Sequence, residues 1–593
     1  MSGMTDITYE AKGLSMKRSL IICASMGVSV LCSLWSAQAA AAALTLPAAV
    51  PVTLSAVAPV MSCAALTNTD LAAIGGAGSH VTSAREITGN GAQVCQVAGV
   101  LAPKIQFQVS LPMTNWQQRF LQIGCGGLCG QIPREIGAAN GCAQVNDGSF
   151  VTSSTDMGHQ GSDGAFGHDQ QLRADFAYRG VHLTAVATKV LIKAFYGQDA
   201  RFSYFSGCSD GGREAVMEAQ RYPDDFNGII AGAPAMNFLT QNGVNHPWLA
   251  QSNTGADGKP ILLENKLPLI HKAVLAQCDG MDGDKDQLIS NPMACHPHLQ
   301  SLLCKPGSVS SNNCLTAQEL AVVEKVYRGP MDPKSGKPLL AGGPLPGSEL
   351  AWAGIFVPAA SSDMLFSSKI GQDANDVLFT HADTPARFDL QGLKFDAAYF
   401  AKLSKLHPFY DATNPDLSAF YQHQGKLILW HGLADQHISP MNTINYHLAV
   451  QHTMGEKKAA TFERLYLIPG MYHCSGGEGP NQLDLLTPMM AWVEQGRAPQ
   501  AVLAKKYEQQ PASGFGQPTS MKKPDAATKR PPQMVNGKLL ETRPVYPFPA
   551  IAVYRGHGDK TQASSFHAVI PNTKSGMTDW LGRDFYKPYP FLN

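Results

Sequence analysis

The stretch Gly207-Cys208-Ser209-Asp210-Gly211 is the only Gly-x-Ser-x-Gly in the chain, and it constrains the fold more than any other feature. A serine that is to attack a carbonyl must project from a sharp strand-to-helix turn. Glycines two before and two after it let neighbouring backbones come close. The flanks fit such a turn. Arg201–Ser206 reads as a short strand, Arg213–Arg221 as a helix stopped by Pro223, and Gly228–Ala231 as the next strand.

The same rhythm recurs on both sides. Ile105–Leu111, Arg119–Ile123 and Phe150–Ser154 are strand candidates, and Val181–Tyr196 has helical spacing of apolar residues. Later, strand candidates Lys426–Trp430 and Arg464–Ile468 alternate with helix candidates Thr443–Thr453 and Leu485–Gln495. Strand–helix alternation predicts a parallel α/β sheet. Between 235 and 414 the rhythm is lost in Gly, Pro and Asp, which reads as an insertion. With 593 residues the chain is too long for one simple core. The expected organisation is a leader at 1–39, a linker at 40–62, and an α/β domain in two parts, 63–234 and 415–560. The insertion separates those parts, and a tail follows at 561–593.

A nucleophilic serine needs a base, and the base needs an orienting acid. Where the serine sits on such an elbow, the chain order is serine, acid, histidine. Asp435 lies just past the strand ending at Trp430, and His473 just past the strand ending at Ile468. Both are loop positions at strand C-terminal ends, where α/β sheets build their sites. His431 and His437 lie within a few residues of Asp435 and read as hydrogen-bonded loop histidines. Two backbone N–H groups must also face the developing oxyanion. One should belong to Asp210, directly after Ser209, and the other to the glycine-rich loop Ile123–Gly127.

Lys17 and Arg18 precede an apolar run from Leu20 to Trp35, followed by Ala37-Gln38-Ala39, the pattern of a cleaved export leader. The run is too short to span a bilayer, Cys32 lacks a lipidation context, and Met16 is an alternative start. The expected location is secreted or periplasmic. Thirteen cysteines without a CxxC or a zinc spacing suit disulfides in an oxidising compartment. Cys23 and Cys32 fall in the leader, which leaves an odd number and hence at least one free thiol. Lys+Arg and Asp+Glu are both 46, with no basic stretch interleaved with aromatics, so no nucleic-acid partner is expected. No membrane association is expected after leader cleavage, and nothing specifies an oligomeric state. Cys208 adjoins Ser209 and Cys474 adjoins His473; a bridge between them would tie nucleophile to base.

Gly207–Glu214, Leu427–Gly432 with Asp435, and Gly470–Gly477 together resemble the tannase and feruloyl esterase family. Asp411–Leu417 and Gly232-Ala233-Pro234 match its signatures too, and the resemblance runs from about Cys63 to about Gly558. It implies an α/β-hydrolase fold with a large inserted lid domain and the triad Ser209, Asp435 and His473. It also implies the bridges Cys208–Cys474, Cys63–Cys95, Cys278–Cys295 and Cys304–Cys314. Cys125, Cys129 and Cys142 remain, with one pair among them unassigned. In the oxyanion loop Cys125 aligns best, with Gly126 as its rival. The family often carries a further C-terminal bridge, but no cysteine follows Cys474 here.

Cys278–Leu288 packs four aspartates into eight residues. Such crowding suits oxygen ligation of calcium, although the spacing is not that of an EF-hand. The resemblance implies a structural calcium ion held by the side chains of Asp279, Asp282 and Asp286 and the carbonyls of Asp284 and Leu288. The expected activity is hydrolysis of aromatic-acid esters through an acyl-enzyme, with a small-molecule ester as the partner. A second expectation is hydrolysis of terephthalate or phthalate monoesters, which calls for an inserted cation such as Lys369 or Arg387. A third, of another class, is a non-catalytic secreted calcium-binding protein on an esterase scaffold.

Overall fold

The computed structural model describes residues 51–89, 92–133, 137–306, 312–361, 363–379, 388–508, 537–572 and 576–592. The predicted leader, the first part of the linker and Arg387 lie outside the described residues. A nine-stranded sheet runs in the order β1-β2-β3-β5-β4-β6-β7-β8-β9. Its strands are β1 His80–Gly89, β2 Ala92–Leu101, β3 Ile105–Pro112, β4 Arg119–Ile123, β5 Phe150–Thr155, β6 Phe202–Cys208, β7 Gly228–Gly232, β8 Lys426–Gly432 and β9 Glu463–Ile468. The parallel expectation holds from β5 to β9. It fails at the other edge, where β1, β2 and β3 pair antiparallel with one another and β3 with β5. This is the mixed sheet of an α/β-hydrolase fold.

Alternation along the central strands divides the interior in two. Phe120, Phe205, Ile229, Leu429 and Leu465 enter one core, and their neighbours Leu121, Tyr204, Ile230, Ile428 and Tyr466 enter the other. Successive strand side chains point to opposite faces, so strands covered on both sides read as unbroken apolar runs. Helices α1 Gly180–Tyr196, α2 Asp210–Arg221 and α8 Pro440–Met454 supply the first face. Helix α9 Leu486–Gln495 supplies the second with Leu486, Met489, Met490 and Trp492. Burying each such side chain is worth roughly 1.5–3 kcal/mol.

Among the described residues between β7 and β8, none joins this sheet. The insertion is helical, with α3 His246–Ser252, α4 Leu267–Cys278, α5 Ala317–Arg328, α6 Phe366–Phe379 and α7 Ala397–Ser404. Disulfides Cys278–Cys295 and Cys304–Cys314 cross-link its irregular part.

Two segments expected to be loose are packed. In the linker, Val52 exchanges backbone bonds with the buried Arg119–Glu494 pair, and Val57 bridges to Trp116. In the tail, the Tyr586 hydroxyl donates to Asn442 O at 3.1 Å and Tyr589 donates to Asp411 O at 2.8 Å. Thr413 Oγ1 donates to Phe585 O at 2.7 Å. The tail therefore joins the end of the insertion to α8. The region after 498, which has no helical period, forms two antiparallel pairs: β10 Val502–Tyr507 with β11 Leu539–Val545, and β12 Ile551–Tyr554 with β13 Phe566–Val569.

Candidate active site

Strand register aligns the C-terminal ends of β6, β7, β8 and β9 on one edge. Ser209 follows β6 directly and caps α2, with φ 65° and ψ −120°. A non-glycine residue with these angles is strained, which is how an elbow lifts its serine clear of the sheet. Tight contacts explain the glycines. An added Cβ at Gly207 would stand 2.3 Å from Gly211 O, and one at Gly211 would stand 2.7 Å from Cys125 O.

Asp435 and His473 leave the ends of β8 and β9 and meet at 2.7 Å, Nδ1 to Oδ2. Asp435 accepts three further hydrogen bonds, from His431 Nε2 at 3.1 Å, His437 N–H at 2.8 Å and Ile438 N–H at 2.9 Å. Burial alone would raise its pKa. The contacts with His473 and His431 outweigh that and hold the carboxyl well below the usual carboxylate range. The group is thus a fixed anion facing His473. Disulfide Cys208–Cys474, with a Cα–Cα distance of 6.0 Å, ties the residue before Ser209 to the residue after His473. Among the described residues no hydrogen bond joins Ser209 to His473. Such bonds are often long before substrate arrives.

Sequence reasoning set His431 aside for its closeness to Asp435. It is a fully buried second partner of that carboxylate, fixed by Thr443 Oγ1 at 2.7 Å and Ile438 O at 2.9 Å. The usable signal was its place as the penultimate residue of β8, four before the acid. His437 was also missed. Its ring lies 4.9 Å from that of His473 and 4.5 Å from Phe366 of α6. His246 of α3 lies 5.6 Å from His437, and burial first, then these neighbouring imidazoles, push its pKa down, so it is neutral. The insertion thereby sets an aromatic wall beside His473. Lys369, one of the two inserted cations considered, pairs with Asp373 one turn on.

Among the described residues, the Asp210 and Gly126 N–H groups have no partner. The Cys125 N–H, the best-aligned oxyanion candidate, instead faces Glu214 Oε1 at 3.4 Å. Of the three expected donors, Asp210 and Gly126 are thus the two whose N–H groups are unengaged among the described residues. Cys125 is bridged to Cys129, and Cys142 is the buried free thiol. The remaining bridge, Cys63–Cys95, pins the segment ahead of β1 to β2.

The acidic loop supplies an all-oxygen donor set. Burial and then the Asp286 carboxylate raise the pKa values of Asp279 and Asp282. Two cations from the C-terminal region relieve part of this: Arg543 pairs with Asp286, and Lys560 with Asp284. Four carboxylates still outnumber them, and Asp284 Oδ2 is buried without a partner. The donor chemistry therefore fits a calcium ion, which would share these carboxylates with Arg543 and Lys560. Leu288 packs on Gly470, three residues before His473, where an added Cβ would stand 2.5 Å away.

Comparison with known proteins agrees with this geometry. The profile described as tannase and feruloyl esterase matches residues 86–569. The chain is 31% identical over 545 residues to the mono(2-hydroxyethyl) terephthalate hydrolase of Piscinibacter sakaiensis, covering 80% of this chain and 85% of that one. It is 34% identical over 439 residues to a probable feruloyl esterase B-1 of Aspergillus flavus, covering 70% and 79%. The crystal structure of feruloyl esterase B from Aspergillus oryzae superposes with a TM-score of 0.69 at 25% identity, covering 86% of this chain and all of that one. An elbow serine, a histidine on a buried aspartate and a match spanning both halves of the sheet leave one assignment: the chain is a carboxylic ester hydrolase of the tannase and feruloyl esterase family.

Proposed function

We propose that the chain is an exported esterase that hydrolyses esters of hydroxybenzoic or hydroxycinnamic acids through an acyl-enzyme. The observation that carries this reading is the aromatic wall of Phe366, His246 and His437 beside His473. In this reading Ser209 Oγ attacks the ester carbonyl while His473 takes its proton. Asp435 holds the imidazole with its Nδ1–H toward the carboxylate and stabilises the imidazolium. The N–H groups of Asp210 and Gly126 receive the tetrahedral oxygen. His473 returns the proton to the departing alcohol, and water activated by the same imidazole releases the acid. The five disulfides support export. Among the described residues no helix is long and apolar enough to cross a membrane.

A second reading, hydrolysis of terephthalate monoesters, draws support from the Piscinibacter relative. It needs a free cation near the acyl group, and Lys369 is already engaged by Asp373. The test is steady-state hydrolysis of methyl gallate, methyl ferulate, mono(2-hydroxyethyl) terephthalate and p-nitrophenyl acetate by the oxidised, calcium-replete protein. Turnover of methyl gallate or methyl ferulate well above the terephthalate monoester is the expected result. Preference for the monoester would replace the first reading with the second. Inertness toward all four would leave a non-catalytic calcium-binding protein.

We also propose a stabilising calcium ion on the acidic loop, held by the side chains of Asp279, Asp282 and Asp286 with the carbonyls of Asp284 and Leu288. A ligand that binds only the folded state raises its stability in proportion to the logarithm of concentration over Kd. Chelation should lower Tm by several degrees, and calcium but not magnesium should restore it. The initial kcat should change less than about twofold, because no ligand belongs to the triad. An unchanged Tm after exhaustive chelation would mean that Arg543 and Lys560 neutralise the loop unaided.

A further inference from the structure

One buried acid near the nucleophile has no role in the mechanism above. Glu214 lies on α2, one turn beyond the elbow, and is 1% exposed. Its Oε1 accepts from the Cys125 N–H at 3.4 Å and sits 2.7 Å from Cys125 Sγ and 3.5 Å from Cys129 Sγ. Both sulfurs belong to one disulfide and carry no hydrogen. Neither sulfur can donate to this oxygen, so a charged carboxylate here would be buried with the Cys125 N–H as its one hydrogen-bond donor among the described residues. A neutral carboxyl needs no further donor and still accepts the Cys125 N–H.

The surroundings hold the proton on. Burial first, then the nearby Asp210 carboxylate, pushes the Glu214 carboxyl up to about 8. Arg213 pulls the other way, but its guanidinium hydrogen bonds go to Asp210, Phe176 and Ala177. Glu218, one turn further along α2, is a second buried acid, raised above its ordinary range. The bridged cysteines of the facing loop do not titrate.

We propose that neutral Glu214 is a positioning residue for the oxyanion loop: it seats the small ring closed by Cys125 and Cys129 and so sets the Gly126 N–H for the tetrahedral oxygen. The inference rests on the esterase reading. Ionisation would place a bare carboxylate against the disulfide and next to Asp210. The loop would then move off the elbow, because α2 is held in the first core by Ala215, Val216, Met217 and Ala219. The residue touches neither substrate nor Ser209, so its effect belongs in kcat more than in KM.

The sign follows from a carboxyl whose folded-state pKa is raised. Neutral Glu214 predominates below about pH 8. Its contribution to stability declines from the ordinary carboxyl range up to about pH 8 and then levels off. The oxyanion loop should therefore loosen as pH rises through that value.

The test is the pH profile of methyl ferulate hydrolysis by wild type and Glu214→Gln. Removal of one oxyanion donor costs about 10²–10³ in kcat, so displacement of the loop should cost wild type at least about tenfold in kcat between pH 7 and 9.5. KM should change little, and return to pH 7 should restore the rate. The amide of Glu214→Gln keeps an acceptor for the Cys125 N–H and has no charge to gain, so its kcat should stay level over the same interval. If that variant does not fold, wild type decides alone, since an alkaline loss that is irreversible or falls on KM overturns the proposal. The same alkaline fall in Glu214→Gln, or a level wild-type profile, also overturns it while leaving the esterase reading intact. Absence of turnover at every pH of methyl ferulate, methyl gallate, mono(2-hydroxyethyl) terephthalate and p-nitrophenyl acetate alike would remove the esterase reading and this inference with it; turnover of any of the four lets the same pH profile be read on that ester.

Discussion

Ser209→Ala is expected to lower kcat/KM on an aromatic ester by at least about 10⁴-fold while leaving Tm unchanged. That loss corresponds to about 5 kcal/mol of transition-state stabilisation. What remains is the rate due to the oxyanion donors and to binding. Alanine keeps the Cβ, so it also keeps the backbone penalty at φ 65° and ψ −120°. Ser209→Gly should be equally inactive but more stable, by about 1–3 kcal/mol, because glycine takes up these angles without strain. A raised Tm in Ser209→Gly beside an unchanged Tm in Ser209→Ala, at equal loss of activity, would show that the elbow holds its serine at the expense of stability. If Ser209→Ala retained a tenth of the wild-type rate, another nucleophile would be at work and the triad would have to be abandoned.

The places of Ser209, Asp435 and His473 were readable in the sequence because each sits at the end of a strand that is buried on both faces and so announces itself as an apolar run. Lys426–Trp430 and Arg464–Ile468 located Asp435 and His473 in this way. Strands β1 and β2 escaped notice because they lie at the exposed antiparallel edge, where residues such as His80, Ser83 and Arg85 face solvent or half-buried surface. Packing of Val57 on the Trp116 backbone and of the tail aromatics beside Asp411 and Asn442 depends on partners far along the chain, so no local pattern marks either segment as ordered. The insertion was legible only as a break in rhythm, because short helices joined by turns and two disulfides leave no long period. The contact of the Cys125 N–H with Glu214 was hidden for a related reason. Loop spacing marked the glycine-rich turn, but the acceptor that faces this N–H lies on α2, almost ninety residues along the chain.

Loss of the Cys208–Cys474 bridge should have the second large effect, and the sheet explains why. Strand β6 and strand β9 are three strand spacings apart, about 14 Å. The Cα atoms of Cys208 and Cys474 are nonetheless only 6.0 Å apart. The loop after β9 must therefore turn back over the ends of β8 and β7 to bring His473 toward Ser209. Hydrogen bonds to Asp435 and Gln436 hold that loop from the β8 side, whereas the disulfide holds it directly at β6. The bridge also closes a stretch of 266 residues that includes the whole insertion. In the chain-entropy model, a closure of that length is worth about 5.6 kcal/mol. Replacing both cysteines by alanine should lower Tm by several degrees and kcat by about 10–100-fold, with a smaller change in KM, because the base loses its position more than the substrate loses its pocket. The measurement is paired kinetics and thermal unfolding of the double variant with the other four bridges intact. Wild-type kcat in a destabilised protein would assign the bridge to stability alone. Wild-type values of both would mean that Asp435 and Gln436 suffice to hold His473 over the sheet.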